Sequence, residues 1–394
     1  MGVKLAGDGF RLTEDERLAF IANGAMSNRL PRLIAGRDVT RRSQGRYVID
    51  AFGMSEAELR EQEPVLYQHL ANTVKPRRQT LKRKSYRDLW WIFAEPRPAM
   101  RNAIRDLDRV IVTSEVSKHP TFVFEDTNGN QFDGSIIVLA FDDAAMLGFL
   151  SSKFHSLWKH KAGGTLEDRP RYQSYDTFDP FPFPADVPDP LKDEIRAEAE
   201  ALDALRKQVL TEHDDLTLTK LYNVLEALRE GRALTEAERD IHDRGLVTLI
   251  YQHHDTIDLL VAQAYGWPAG LSDEDILTRL VALNKERAAE EAKGLIRWLR
   301  PEYQAPDYQA PVSQALDFGE AAAVAPDNVL PWPDKLPEQV SAVAAVLSAS
   351  PIPLAPQDVA RFFKGKRAAT VKPVLDAITA IGQARRLKDG RFAA

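Results

Sequence analysis

At 394 residues, with 44% hydrophobic and 28% charged residues, the chain has room for two or three globular domains and is no disordered polypeptide. No apolar stretch approaches the roughly 20 residues of a membrane helix, and the opening Met1-Gly2-Val3-Lys4-Leu5 lacks a signal-peptide core. The absence of cysteine excludes disulfides and thiolate zinc sites and fits a reducing cytoplasm.

The formal net charge of −6 conceals a segregation, because residues 29–118 hold 19 Lys/Arg against 11 Asp/Glu. Residues 361–391 hold 9 against 2, so two basic zones stand apart from an acidic remainder. The first zone carries two clusters. Arg37, Arg41, Arg42 and Arg46 surround Gly36-Arg37-Asp38, where a locally paired Arg37–Asp38 loop and a contact to phosphate or guanine both fit the residues. Residues 75–87 then hold seven basic side chains (Lys75, Arg77, Arg78, Lys82, Arg83, Lys84 and Arg87) and no acidic one. A solvated face mixes signs, whereas such a run suits a phosphate backbone. Trp90, Trp91 and Phe93 follow and are expected in the core, where large rings supply burial.

Residues 1–185 read as mixed α/β. Residues 110–113, 121–124 and 136–139 are short apolar or β-branched runs of the kind buried strands require. Lys118-His119 falls in a loop between two of them, and Asp126-Thr127-Asn128-Gly129-Asn130 is a turn signal. Asp142-Asp143 should cap a helix running from Ala144 toward Trp158. Arg169, Arg171 and Tyr172 sit in a polar loop after Gly163-Gly164. The Phe/Pro run of residues 178–184 can be neither helix nor central strand.

From about Pro190 the apolar period becomes helical. Leu202, Leu205, Val209 and Leu210 form one stripe and Leu218, Leu221, Tyr222 and Leu225 another, while Thr235–Glu238 is a capping-box pattern. Residues 186–300 therefore read as an all-α array, and its His242, His253 and His254 lack the partners of a metal site. Residues 301–335 read as a linker. Residues 336–394 follow as helices over 336–347, 356–363 and 369–381, with an Asp389-Gly390 hairpin after them. That pattern suggests a winged-helix-like domain, for DNA or for protein. The fold class expected is α+β.

Taken in order, several landmarks resemble the C-terminal portion of the MmeI-like (type IIL) restriction–modification DNA methyltransferases. They are Leu33-Ile34-Ala35-Gly36-Arg37-Asp38, Tyr47-Val48-Ile49-Asp50-Ala51-Phe52-Gly53, Val74-Lys75-Pro76-Arg77-Arg78 and Trp90-Trp91-Ile92-Phe93. Lys118-His119, Leu150-Ser151-Ser152 with His155 and Trp158, and the Phe/Pro run follow. Thr217-Leu218-Thr219-Lys220-Leu221-Tyr222-Asn223 and Ala264-Tyr265-Gly266-Trp267-Pro268 match the helical domain that comes next. The resemblance implies that residues 1–185 are a target-recognition domain for double-stranded DNA, in a system that methylates adenine at N6 with S-adenosylmethionine.

It does not imply that this chain methylates. The Gly-rich turn and the Asn/Asp-Pro-Pro-aromatic loop of such enzymes have no counterpart here. Gly7-Asp8-Gly9-Phe10 and Asp179-Pro180-Phe181-Pro182 stand in the wrong place or order. No catalytic residue, metal or cofactor is therefore expected in the chain, and S-adenosylmethionine belongs to a separate catalytic domain. The expected partners are duplex DNA and a methyltransferase chain, with a nuclease as a further one. The alternative is a non-enzymatic adaptor or remnant whose helical and winged-helix parts bind protein.

Overall fold

Val110-Ile111-Val112-Thr113 is buried on both faces, as its β-branched residues require, and it anchors the strand Arg109–Ser114. The structure is a computed structural model describing residues 1–41, 43–119, 121–162, 165–166, 169–307, 330–333, 335–350, 354–380, 384–387 and 390–393, with backbone alone at 165–166, 169–170, 349 and 393. Arg109–Ser114 lies between Val123–Asp126 and Ile136–Leu139, antiparallel to both.

The turn expected at residues 126–130 forms, with Gly129 at φ +72°. The chain then takes a step the residue pattern did not announce. Asn130–Phe132 leaves this sheet and pairs in parallel with Arg32–Ile34. That second sheet runs Arg11–Leu12, Tyr47–Val48, Arg32–Ile34, Asn130–Phe132. Buried Asp50 ties it to its surroundings, accepting from Arg101 Nη1 at 2.8 Å and Gln131 Nε2 at 3.0 Å.

Capping boxes start the helices Glu14–Ala22 (Thr13 with Glu16), Glu56–Gln62 (Ser55 with Glu58) and Glu236–Arg244 (Thr235 with Glu238). Asp143 caps Ala144–Ser151 by accepting from Ala145 N at 2.9 Å. The single helix expected to run on toward Trp158 is two helices, Ala144–Ser151 and Lys153–Ala162. Ser152 breaks it with ψ at 157° and its Oγ donating to Phe149 O at 2.7 Å, and Asp258 restarts it by accepting from Lys153 N at 2.6 Å. After the short π-type turn Ser174–Phe178, the Phe/Pro run is irregular. Its rings stack edge to face, with Phe181–Phe183 and His155–Phe181 centroids each 4.8 Å apart.

The helix Asp189–Glu212 lies against Ala144–Ser151 and Val247–Ala264. Gly148 permits the first contact, since a Cβ there would meet Ile195 Cγ2 at 2.5 Å. A hydrophobic core containing Ile34, Val110 and Phe132 also contains Ile195, Leu202, Leu225, Ile257 and Leu280. Strands and helices on either side of residue 185 therefore share one interior.

The chain divides into two compact units, Met1–Asn284 and Lys285–Ala394. In the second, the one-turn helix Pro301–Gln304 stands at the start of the expected linker, and most of that linker lies outside the described residues. Leu336–Ala349, Pro356–Arg361 and Ala368–Ala380 are helices, and Arg385–Arg386 pairs antiparallel with Phe392–Ala393. Val343, Val359, Val371, Leu375, Ile378 and Phe392 form their core. Gly390 takes φ +83° as the hairpin signal requires, while Asp389 lies outside the described residues. The fold is α+β, and among the described residues no helix is long and apolar enough to cross a membrane.

Candidate nucleic-acid interface

The strand Arg32–Ile34 runs into the five-residue helix Gly36–Thr40 through a turn with little freedom. A Cβ on Gly36 would sit 2.6 Å from Ser114 Oγ and 3.1 Å from Ser135 O, so only glycine lets the turn rest on the three-stranded sheet. Gly36 N donates to Ser135 Oγ at 2.9 Å. Asp38 Oδ2 accepts from Ala35 N and Oδ1 from Gln44 N, both at 2.7 Å. One carboxylate thus pins both ends of the loop, and the local Arg37–Asp38 pair entertained from the sequence does not form.

Around this turn opens a cleft of about 390 Å³, walled by Arg11, Arg37, Arg41, Gln44, Arg46, Glu115 and Asp133 among others. Arg37, Arg41 and Arg46 are exposed, and among the described residues no carboxylate pairs with any of them. The acidic groups of the wall are already engaged. Asp133 faces Arg11 at 3.7 Å, and Glu115 accepts from Arg171 Nε at 2.9 Å and Nη2 at 2.6 Å. The three wall hydroxyls are engaged too, with Thr40 Oγ1 donating to Gly36 O at 2.9 Å, Ser114 Oγ to Val116 O at 3.0 Å and Ser135 Oγ to Asp133 Oδ1 at 2.8 Å. What remains for a ligand is three forked, permanently charged donors beside an amide. Such groups bind phosphate oxygens and guanine O6/N7.

Arg42 lies outside the described residues, as does the side chain of Arg169. Arg11, Gln44, Glu115 and Asp133 were not singled out from the sequence. Nothing local marks them, because they come from four separate segments that the two sheets bring together.

The run at residues 75–87 behaves differently from its composition. Arg78 is fully buried in the helix Lys75–Gln79, donating from Nη2 to Leu5 O at 2.7 Å and Ile92 O at 3.0 Å. Burial lowers its pKa from the usual arginine value, and its guanidinium lies 5.7 Å from the Phe10 ring centroid. Arg78 is therefore a scaffold residue, which corrects its expected place among the DNA contacts. Lys75 lies 3.5 Å from Glu56 and 4.6 Å from the Trp90 ring centroid, Arg77 pairs with Asp8 at 2.8 Å, and Lys84 pairs with Asp88. Arg87 closes the loop by donating to Leu81 O at 2.7 Å and Lys82 O at 2.8 Å. Arg83 donates to the Tyr86 hydroxyl at 2.7 Å. Lys82 and Arg83 alone of the seven are exposed without a carboxylate or backbone partner among the described residues. Trp90, Trp91 and Phe93 are core residues.

Lys118 and His119 dock onto the helix Leu218–Arg229. Lys118 Nζ reaches Asn223 Oδ1 at 2.9 Å and Glu226 at 2.8 Å, and His119 Nε2 meets the same Asn223 oxygen at 2.8 Å. Burial lowers the His119 pKa, so the pair fastens a loop to a helix. Tyr172 is fully buried with its hydroxyl 3.2 Å from His155 Nε2, so its ring cannot meet a ligand, a second correction. His155 Nδ1 donates to Leu150 O, and complete burial brings its pKa to about 3. Lys159 is also buried, without a hydrogen-bonding or ionic partner among the described residues, and burial brings its pKa to about 7. The helical histidines have local partners: His254 the Tyr222 hydroxyl, His253 Glu198, and His242 Asp243 and Thr248.

No sequence family matches the chain, and no curated protein does. Among solved structures, its fold is similar to that of the type IIL restriction–modification enzyme MmeI in complex with DNA, at a TM-score of 0.56 and 17% identity. The match covers 73% of this chain and 35% of that one, so about three quarters of this chain shares the fold of about a third of that enzyme.

Proposed function

We propose that the chain recognises double-stranded DNA as the specificity part of a restriction–modification system, in the cytoplasm, with adenine methylation and S-adenosylmethionine binding assigned to another chain or domain. The observation that carries this reading is the cleft on the Gly36–Thr40 turn. It keeps Arg37, Arg41 and Arg46 without a carboxylate partner among the described residues, on a backbone fixed by Asp38, whereas most other basic side chains proposed from sequence have internal partners. A protein that only needed solubility would neutralise such a cluster locally. The fold likeness to an enzyme solved with DNA supports the same direction.

Within this reading, the three cleft arginines contact the DNA, and Lys82 and Arg83 add phosphate contacts from a neighbouring loop. Lys75, Arg77, Lys84, Arg87, Lys118, His119 and Arg171 shape the surface around them. The test is duplex binding by fluorescence anisotropy across a salt series. Log affinity should fall linearly with log salt, and R37A/R41A/R46A should flatten that slope by up to about 2.7, at about 0.9 per phosphate contact. Unaltered affinity and slope in the triple variant would end the assignment.

A further inference from the structure

The second unit carries a charged surface of its own. We infer that the loop of residues 364–367, with the first turns of the helix Ala368–Ala380, is a second duplex-DNA-binding surface. This goes beyond the cleft reading and stands on its own residues.

Lys364, Lys366, Arg367 and Lys372 fall within nine residues that include no acidic one, and all four are exposed. Among the described residues none of them has a carboxylate partner. Other arginines of the chain are neutralised: half-buried Arg196 by Asp143, exposed Arg232 by Glu238 and half-buried Arg244 by Asp215. Like charges this close repel one another, so the cluster opposes folding and gains nothing internally. A polyanion removes that repulsion, and duplex DNA presents one charge per roughly 1.7 Å of axis.

The cations stand on a fixed base. Phe363 is buried edge-on against Trp332, with centroids 4.9 Å apart, and Lys364 N donates to Leu330 O at 2.9 Å. Gly365 turns the loop at φ +70°, and Thr370 N donates to Arg367 O at 2.9 Å as the helix begins. Ala369 and Thr370, exposed between the charges, are short enough to let a phosphate backbone approach. Residues 364–372 themselves expose no large hydrophobic side chain to anchor a protein partner, although Leu330, bonded to Lys364 through the backbone, is exposed. Exposed Arg385 and Arg386 add to the positive excess of the same unit.

The experiment uses the full chain with K364A/K366A/R367A, titrated against two duplexes of unrelated sequence over a salt series. Because the three side chains are exposed and their mutual repulsion is removed, the triple variant should unfold at or above the parent's temperature, and the single reversal K366E provides a variant with two of the three cations intact. The expected result is weaker binding to both duplexes alike, with the salt slope reduced by about 2 to 3 for the triple variant. Parent-like affinity and slope in both variants would overturn the inference, as would loss of a protein partner with DNA binding intact. R37A/R41A/R46A separates the two surfaces. If it binds like the parent while the loop variant does not, the cleft reading fails and this inference stands.

Discussion

Arg78 lies in the middle of the most basic stretch of the chain, and R78A measures whether structure or composition decides its role. Its Nη2 is the donor to two carbonyls, Leu5 O at 2.7 Å and Ile92 O at 3.0 Å. Leaving buried acceptors without a donor costs about 1–3 kcal/mol each. Truncation also opens a void beside Phe10 and Tyr86, whose ring centroids lie 5.7 and 5.3 Å from the guanidinium. Against this, removing a buried charge whose pKa is already lowered by desolvation returns part of the loss. The net expectation is a destabilisation of the first unit by about 2–4 kcal/mol. Urea unfolding followed by hydrogen exchange of the Lys75–Gln79 helix would read it. At temperatures where the variant stays folded, its salt slope for DNA should equal the parent's. A slope reduced by about 0.9 without loss of stability would mean that Arg78 reaches phosphate, and the division into scaffold and ligand-facing cations would be refuted.

G36A should damage the cleft directly. The added Cβ meets Ser114 Oγ at 2.6 Å and Ser135 O at 3.1 Å, so a loss of about 1–3 kcal/mol in thermal stability is expected together with weaker DNA binding. Parent-like values for both would show that the turn yields freely. K159M should stabilise the protein, because burial lowers the lysine pKa from 10.5 to about 7. Between those values the unfolded chain holds more protons than the folded one, so parental stability rises with pH across that window. The advantage of the variant should therefore be largest near pH 7, on the order of 3–5 kcal/mol, and shrink toward pH 10. Chemical denaturation at several pH values checks it, and a gain independent of pH would point to packing instead.

Much of the fold was legible because it rests on local rules. Thr235 with Glu238 and Asp143 ahead of Ala144 signal helix starts by side chains that satisfy free N–H groups, and both do so. The branched runs at Val110 and Ile136 became strands for an equally local reason. Asn130–Phe132 was not legible, since three residues carry no period and their pairing partner lies about a hundred positions away. The break at Ser152 escaped because a distant residue, Asp258, makes it favourable. The site divided in the same way. Arg37, Arg41 and Arg46 were visible as a cluster, but exposure is a property of packing. Nothing in the run at residues 75–87 could tell that Arg78 faces inward while Lys82 faces out.

Among the described residues, Asp38 grips its loop only through backbone N–H groups, those of Ala35 and Gln44. Nothing in that grip depends on which side chains stand at positions 37, 41 and 46. The frame and the lettering it displays are chemically uncoupled, so exchanging the residues at those three positions would change what the surface prefers while the loop keeps its shape. Such a loop can drift in preference without a passage through an unfolded form, whereas the same exchange at Arg78 would first have to solve a packing problem.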